Sequence, residues 1–137
     1  MVRSEIIRKR LNQLEEYLSI LRRMQGYSYD EFIEDPEKYG AAERFLHLAI
    51  EALIDMGNRV IADSGLGVVN SYSDIPTILA DKGYLPSDLK EKWIRMIGFR
   101  NALVHEYIDI DRKIVYGVLQ KNLKDIDDLK PVFAQFL

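Results

Sequence analysis

The chain has no cysteine among its 137 residues. That excludes disulfide staples, thiolate zinc sites and a cysteine nucleophile. Proline is scarce, at four residues, and no apolar run approaches the ~20 residues that a membrane helix needs. Histidine is scarcer still: His47 and His105 are the only two. They are too few for a typical zinc site unless carboxylates or a second subunit complete it. An excess of one charge is also lacking. Nineteen Lys and Arg against 22 Asp and Glu leave a net charge of −3. This argues against a broad basic face laid along nucleic acid, but leaves room for a small local site. The sequence contains no Gly-rich phosphate loop ending in Gly-Lys-Ser/Thr, no GxGxxG and no HExxH. Charges interrupt the N-terminal apolar residues every few positions, so no targeting segment is visible. A soluble, cytoplasmic chain is expected, with no membrane association, no metal and no other cofactor.

What is present is helical periodicity. A composition of 47% hydrophobic and 30% charged residues is globular. The length suits one domain, residues 1–137, with a sizeable core. Ile7, Leu11, Leu14, Leu18 and Leu21 recur at spacings of four and three, which predicts a helix over 4–25. Ser4 is its expected N-cap and Gly26 its stop. The stripe is narrow enough for coiled-coil packing against another helix or subunit. The opposite face carries Arg3, Arg8, Lys9, Arg10, Arg22 and Arg23, and reads as solvated. Residues 27–40 form a polar connector with one short helix around Phe32, capped by Ser28. Phe45, Leu48, Ala49, Ala52, Leu53 and Met56 predict a second long helix over 41–62.

Two glycines and several turn formers then break the pattern before a short helix over 74–83, with Asp74 as its cap. A further helix opens at Ser87 and runs through Tyr107, with Trp93, Met96 and Phe99 facing the core and Gly98 in its interior. The last covers 112–136, with Val115, Val118, Leu119, Leu123, Ile126 and Leu129 inward. Pro131 is expected to kink or interrupt it. No segment has a strand pattern. The expected fold is all-α, an antiparallel bundle of four main helices plus short connecting helices.

Chemistry concentrates in one stretch, Arg100-Asn101-Ala102-Leu103-Val104-His105-Glu106-Tyr107. It sets a permanent cation, a titratable imidazole and a phenol within one short segment. At roughly 100° per residue, Arg100 and Tyr107 share one helical face, and Asn101 and His105 an adjacent one. Arg100 and His105 stand about 140° apart, too far for one ideal helix to aim both at one atom. Either the helix ends within the motif, or a groove or a second subunit gathers the groups. The pairing suits phosphate chemistry. Arginine offers a planar fork of donors to phosphate oxygens, and histidine moves protons near neutrality. His47 and the aromatic residues of the helix around Trp93 read as structural. Acidic pairs such as Asp109 and Asp111, or Asp127 and Asp128, read as helix-end or surface charges.

The segment Arg100-Asn101-x-x-x-His105-x-Tyr107 resembles the signature of the HEPN superfamily, in its HepT-like toxin branch. The helix from Glu43 to Asp55 is similar to that family's second block, and the order of helices matches along nearly the whole chain. The resemblance implies a helical bundle that forms a homodimer with the motifs of two protomers facing one cleft. It implies a metal-independent endoribonuclease toxin and an MntA-like nucleotidyltransferase antitoxin as partner, in a complex that can be larger than the dimer. Carried onto this chain, Arg100 and His105 become the catalytic pair, Asn101 an orienting or phosphate-binding residue, and Tyr107 the acceptor of AMP from the antitoxin.

Two other readings stand beside it. One is a non-catalytic HEPN module that binds, or is modified by, a nucleotidyltransferase. The other is a structural dimer in which Arg100 and His105 form an ion-pair network with Glu106 or Asp55. The sequence leaves open whether His47 or Asp55 joins the site.

Overall fold

Leucines of the first stripe and the apolar residues of the second long helix meet in one core. In the computed structural model, which describes residues 2–105 and 111–137, every regular element is a helix. They are α1 (Ser4–Met24), α2 (Tyr29–Glu34), α3 (Pro36–Ser64), α4 (Asp74–Asp81), α5 (Ser87–His105), α6 (Arg112–Lys121) and α7 (Leu123–Ala134). Among the described residues no helix is long and apolar enough to cross a membrane.

Helix α3 is the axis of the bundle, touching each of the other six helices. Its sequence explains this position. Leu46, Ile50, Leu53, Ile54, Met56 and Val60 are all buried, more positions than one amphipathic stripe supplies. Helix α1 runs antiparallel to it. Arg3 meets Asp63, Arg10 meets Asp55 and Tyr17 meets Phe45, so partners descend along α3 as α1 advances. The predicted α1 stripe is the one that packs: Ile7, Leu14, Leu18 and Leu21 are fully buried. Arg22, assigned to the solvated face, bridges instead to Glu15 and to Asp127 of α7, and Lys130 joins the same carboxylates.

Several boundaries differ from the sequence reading. Helix α1 begins at Ser4, with Arg3 as an N-cap that makes no side-chain bond. Helix α3 begins five residues earlier than 41, because Pro36 fits the first helical position and Asp35 caps it through the Glu37 N–H. Asp74 lies inside α4, after Ser73. Its carboxylate accepts from the N–H groups of Asn70 and Ser71 at 2.9 and 3.1 Å, closing the loop ahead of the helix. The final segment is two helices, and the break is at Asn122 rather than Pro131. Asn122 has left helical geometry at φ −112° and ψ 0°, and its amide donates to Asp125. Pro131 stays within α7 because only its short last turn follows, held down by buried Val132 and Phe133. Ser28 caps α2 as expected, and Glu31 completes a full capping box that was not part of the expectation.

Gly98 sits in α5 with nothing within 4 Å of where a Cβ would be. Its flexibility therefore has no packing return. Gly98→Ala is expected to raise stability by about 1 kcal/mol, seen as a higher urea midpoint with an unchanged slope.

Candidate active site

Helices α3 and α5 run antiparallel, and a missing side chain on α3 makes room for side chains of α4 and α5. A Cβ on Gly57 would lie 2.4 Å from Ile75 Cγ2 of α4 and 2.9 Å from Trp93 Cη2 of α5. Only hydrogen at this position lets α4 and α5 close on α3. Two turns back along α3 from the Gly57 level, the same pairing brings Glu51 opposite Arg100 of α5.

Arg100 is held from several sides. Its Nε donates to Glu51 Oε1 at 2.7 Å, and Nη2 donates to the same oxygen. Nη1 donates to Asn101 Oδ1 at 3.1 Å. The Tyr72 ring lies 4.9 Å from the guanidinium carbon, a cation–π contact. His47, one turn before Glu51 on α3, places Nε2 within 3.2 Å of Oε1. The Arg100 side chain is only 11% exposed and that of Glu51 26%, so the pair is shielded well beyond a surface salt bridge. Three guanidinium N–H groups are engaged in these bonds, and Arg100 also lines a cleft.

That cleft has a volume of about 430 Å³ and is open to solvent. Arg100, Asn101 and His105 of α5 form one wall. Asn58 of α3 and residues Val69 to Tyr72 of the α3–α4 loop form the rest. Arg100, Asn101 and His105 line one groove of this chain, and α5 is described as far as His105, within the motif. The cleft is wide enough that Arg100 and His105 both reach it despite their angular separation. His105 is exposed at the last residue of α5, and Asn101 is exposed beside Arg100. Tyr107 and Glu106 lie outside the described residues.

The direct ion-pair partner of Arg100 is Glu51, and Asp55 feels the Arg100 charge only at longer range. Asp55 lies one turn further along α3 and faces Arg10 at 3.9 Å. Burial raises its carboxyl above the ordinary range, and the Arg10 guanidinium pulls it back. His47, read as structural, belongs to the layer behind Arg100 through Glu51. Sequence reasoning missed Glu51 altogether. The available signal was its spacing, four residues after His47 on the same helix, which puts the two side chains together. The acidic pairs divide as read where they are described. Asp111 caps α6 through the Lys113 N–H, and Asp127 binds Arg22 and Lys130. Asp109 is outside the described residues. Among the described residues no group of three His, Cys, Asp or Glu side chains is arranged to hold a metal ion.

An all-α bundle with an arginine clamped by a half-buried carboxylate, and an amide and an imidazole on the same cleft, has the architecture of a HEPN-type protein. The model of the ribonuclease HepT-like family matches residues 7–132, and the chain belongs to that family. A relative from Aphanizomenon flos-aquae, described as tRNA nuclease HepT, is 31% identical over 81% of this chain and 76% of its own length. Another from Shewanella oneidensis, described as mRNA nuclease HepT, is 33% identical over 60% of this chain and spans 62% of that relative. Among solved structures, the tri-AMPylated Shewanella oneidensis HEPN toxin in complex with MNT antitoxin superimposes with a TM-score of 0.87. It is 25% identical, and the match covers 95% of this chain and 97% of that one.

Proposed function

We propose that this chain is the ribonuclease toxin of a toxin–antitoxin pair, a metal-independent endoribonuclease whose single domain works as a homodimer. The observation that carries this reading is the common cleft of Arg100, Asn101 and His105, with Arg100 anchored from behind by Glu51. An anchored guanidinium is pre-organised: it stabilises growing negative charge without first having to be ordered.

The reaction follows from these groups. A base removes the proton from a ribose 2′-hydroxyl, and the freed oxygen attacks the adjacent phosphorus. Arg100 stabilises the charge building on the phosphoryl oxygens. The bond from phosphorus to the 5′-oxygen breaks, an acid protonates that oxygen, and a 2′,3′-cyclic phosphate remains. His105 is the proton carrier on one side of this exchange, and the His105 of a second protomer suits the other. Asn101 orients the guanidinium or the phosphate. The partner is an MntA-like nucleotidyltransferase antitoxin, and transfer of AMP to Tyr107 silences the toxin. A bulky anion there competes for the space and the cation that the RNA phosphate needs.

The test is RNA cleavage by unmodified wild-type protein in EDTA, with intact mass confirming that Tyr107 carries no AMP, beside His105→Ala. Cleavage by the wild type leaving a 2′,3′-cyclic phosphate is expected, with a loss of about 10²–10⁴-fold in the variant. Cleavage that requires added metal, or that survives intact in His105→Ala, overturns the mechanism.

A further inference from the structure

The cleft wall opposite the motif has a composition that the phosphate chemistry does not use. Tyr72 remains 40% exposed although it stands against a nearly buried arginine. Asn70 and Ser71, its neighbours in sequence, and Asn58 of α3 line the same cleft. Amides of this kind donate and accept at once, which is what the edge of a nucleobase presents. An aromatic face offers stacking to any base.

This wall is built, not a loose loop. Gly65 ends α3 at φ 59°, a conformation that side chains resist, and the Leu66 N–H returns to Ile61 O at 3.0 Å. Asp74 fastens the N–H groups of Asn70 and Ser71. The Ile75 N–H donates to Tyr72 O at 3.1 Å, and Ile75 itself is fully buried. The Tyr72 backbone is therefore tied to the core while its ring faces the cleft. At about 430 Å³ the cleft falls in the range of pockets that hold one small ligand, the scale of one nucleotide.

We infer that Tyr72, with Asn70 and Asn58, forms a subsite for an unpaired nucleobase next to the scissile phosphate. This rests on the ribonuclease reading. It adds to it that the substrate is single-stranded at the cut. Attack by a 2′-oxygen in line with the 5′-oxygen needs a backbone freed from helical stacking, and a base parked on Tyr72 holds it so. The Arg100 guanidinium 4.9 Å from the ring then couples base capture to the phosphate site.

Binding tests this apart from cleavage. The probes are short 2′-O-methyl RNA oligomers, which lack the attacking hydroxyl, and an abasic ribose-phosphate oligomer of equal length. Fluorescence anisotropy is read on the full chain, on Tyr72→Ala and on Tyr29→Ala, the last removing an equally exposed tyrosine that packs instead on Tyr116. The wild type is expected to prefer the base-bearing oligomer by roughly 10- to 100-fold, and Tyr72→Ala to lose that preference. Tyr29→Ala should keep it, and thermal melts should show both variants folded. A wild type that binds abasic and base-bearing oligomers equally, or that binds neither, overturns the subsite. So does a Tyr72→Ala protein that keeps the preference. Should Tyr72 govern binding while no RNA is cut, the ribonuclease reading fails and the subsite stands. Should RNA be cut with no base preference in binding, the subsite fails and the ribonuclease stands.

Discussion

Arg100→Ala is expected to lose RNA cleavage by about 10²–10³-fold and to lose stability as well, because one side chain serves both ends of the site. The catalytic loss follows from removing a fixed cation at the phosphoryl oxygens. The stability loss follows from Glu51. Its Oε1 accepts from Arg100 Nε and Nη2, and with Arg100 gone His47 is the neighbour left beside that oxygen among the described residues. Stranding one partner of a fully buried pair costs about 3–5 kcal/mol. Glu51 keeps 26% of its surface in solvent, so about 1–2 kcal/mol is the expected cost here.

The double variant Arg100→Ala/Glu51→Ala removes the stranded charge. It should regain most of the stability and none of the activity. Urea unfolding and kcat/KM on one RNA substrate, measured for both single variants and the double, separate the two roles. Equal activity in Arg100→Ala and wild type would remove Arg100 from the chemistry. A double variant no more stable than Arg100→Ala would show that the cost does not come from the unpaired carboxylate. The same cycle divides the catalytic reading from the structural ion-pair reading, which expects Arg100→Ala to lower stability rather than activity.

The second large effect is expected at Gly57. Alanine there puts a methyl group 2.4 Å from Ile75 Cγ2 and 2.9 Å from Trp93 Cη2, and both neighbours are fully buried. Neither side chain has solvent to move into, so α4 or α5 has to shift. Overpacking of this kind costs about 1–3 kcal/mol, and Gly57→Val should cost more. Activity should fall beyond the loss of folded protein. The displaced helices carry the cleft: α5 bears Arg100 and His105, and α4 anchors the Tyr72 loop. Denaturation midpoints and cleavage at a temperature where the variant is fully folded check both parts. Gly57→Ala/Ile75→Ala, which makes room at the nearer contact, should be less destabilised than the two single changes summed. Unaltered stability in Gly57→Ala would mean that the helices are not locked at this contact.

The contrast between two interior glycines shows where sequence reading stops. Gly57 and Gly98 both interrupt helical patterns and look alike in one dimension. Gly98 faces open space, whereas Gly57 is the contact point of three helices. The difference is the identity of a neighbour 18 residues away at Ile75 and 36 away at Trp93, which periodicity does not carry. The same limit applies to the end of the chain. Proline at 131 advertised a break, yet the break is at Asn122. A proline removes one hydrogen bond locally, while burial of Val132 and Phe133 holds the final turn in place.

Local order was legible in the sequence alone. The helical class, the inward stripe of α1, part of that of α3, the cap at Ser28, and the spacing of Arg100, Asn101 and His105 all depend on neighbours within about one or two helical turns. The tertiary structure decided what lies behind and opposite that motif. Glu51 is 49 positions from Arg100, and Tyr72 is on a loop that no period predicts. Both are brought to the guanidinium by the close packing of α4 and α5 on α3. A helix pattern states which face turns inward; only the register of one helix against another, set here at Gly57, states which residue it meets.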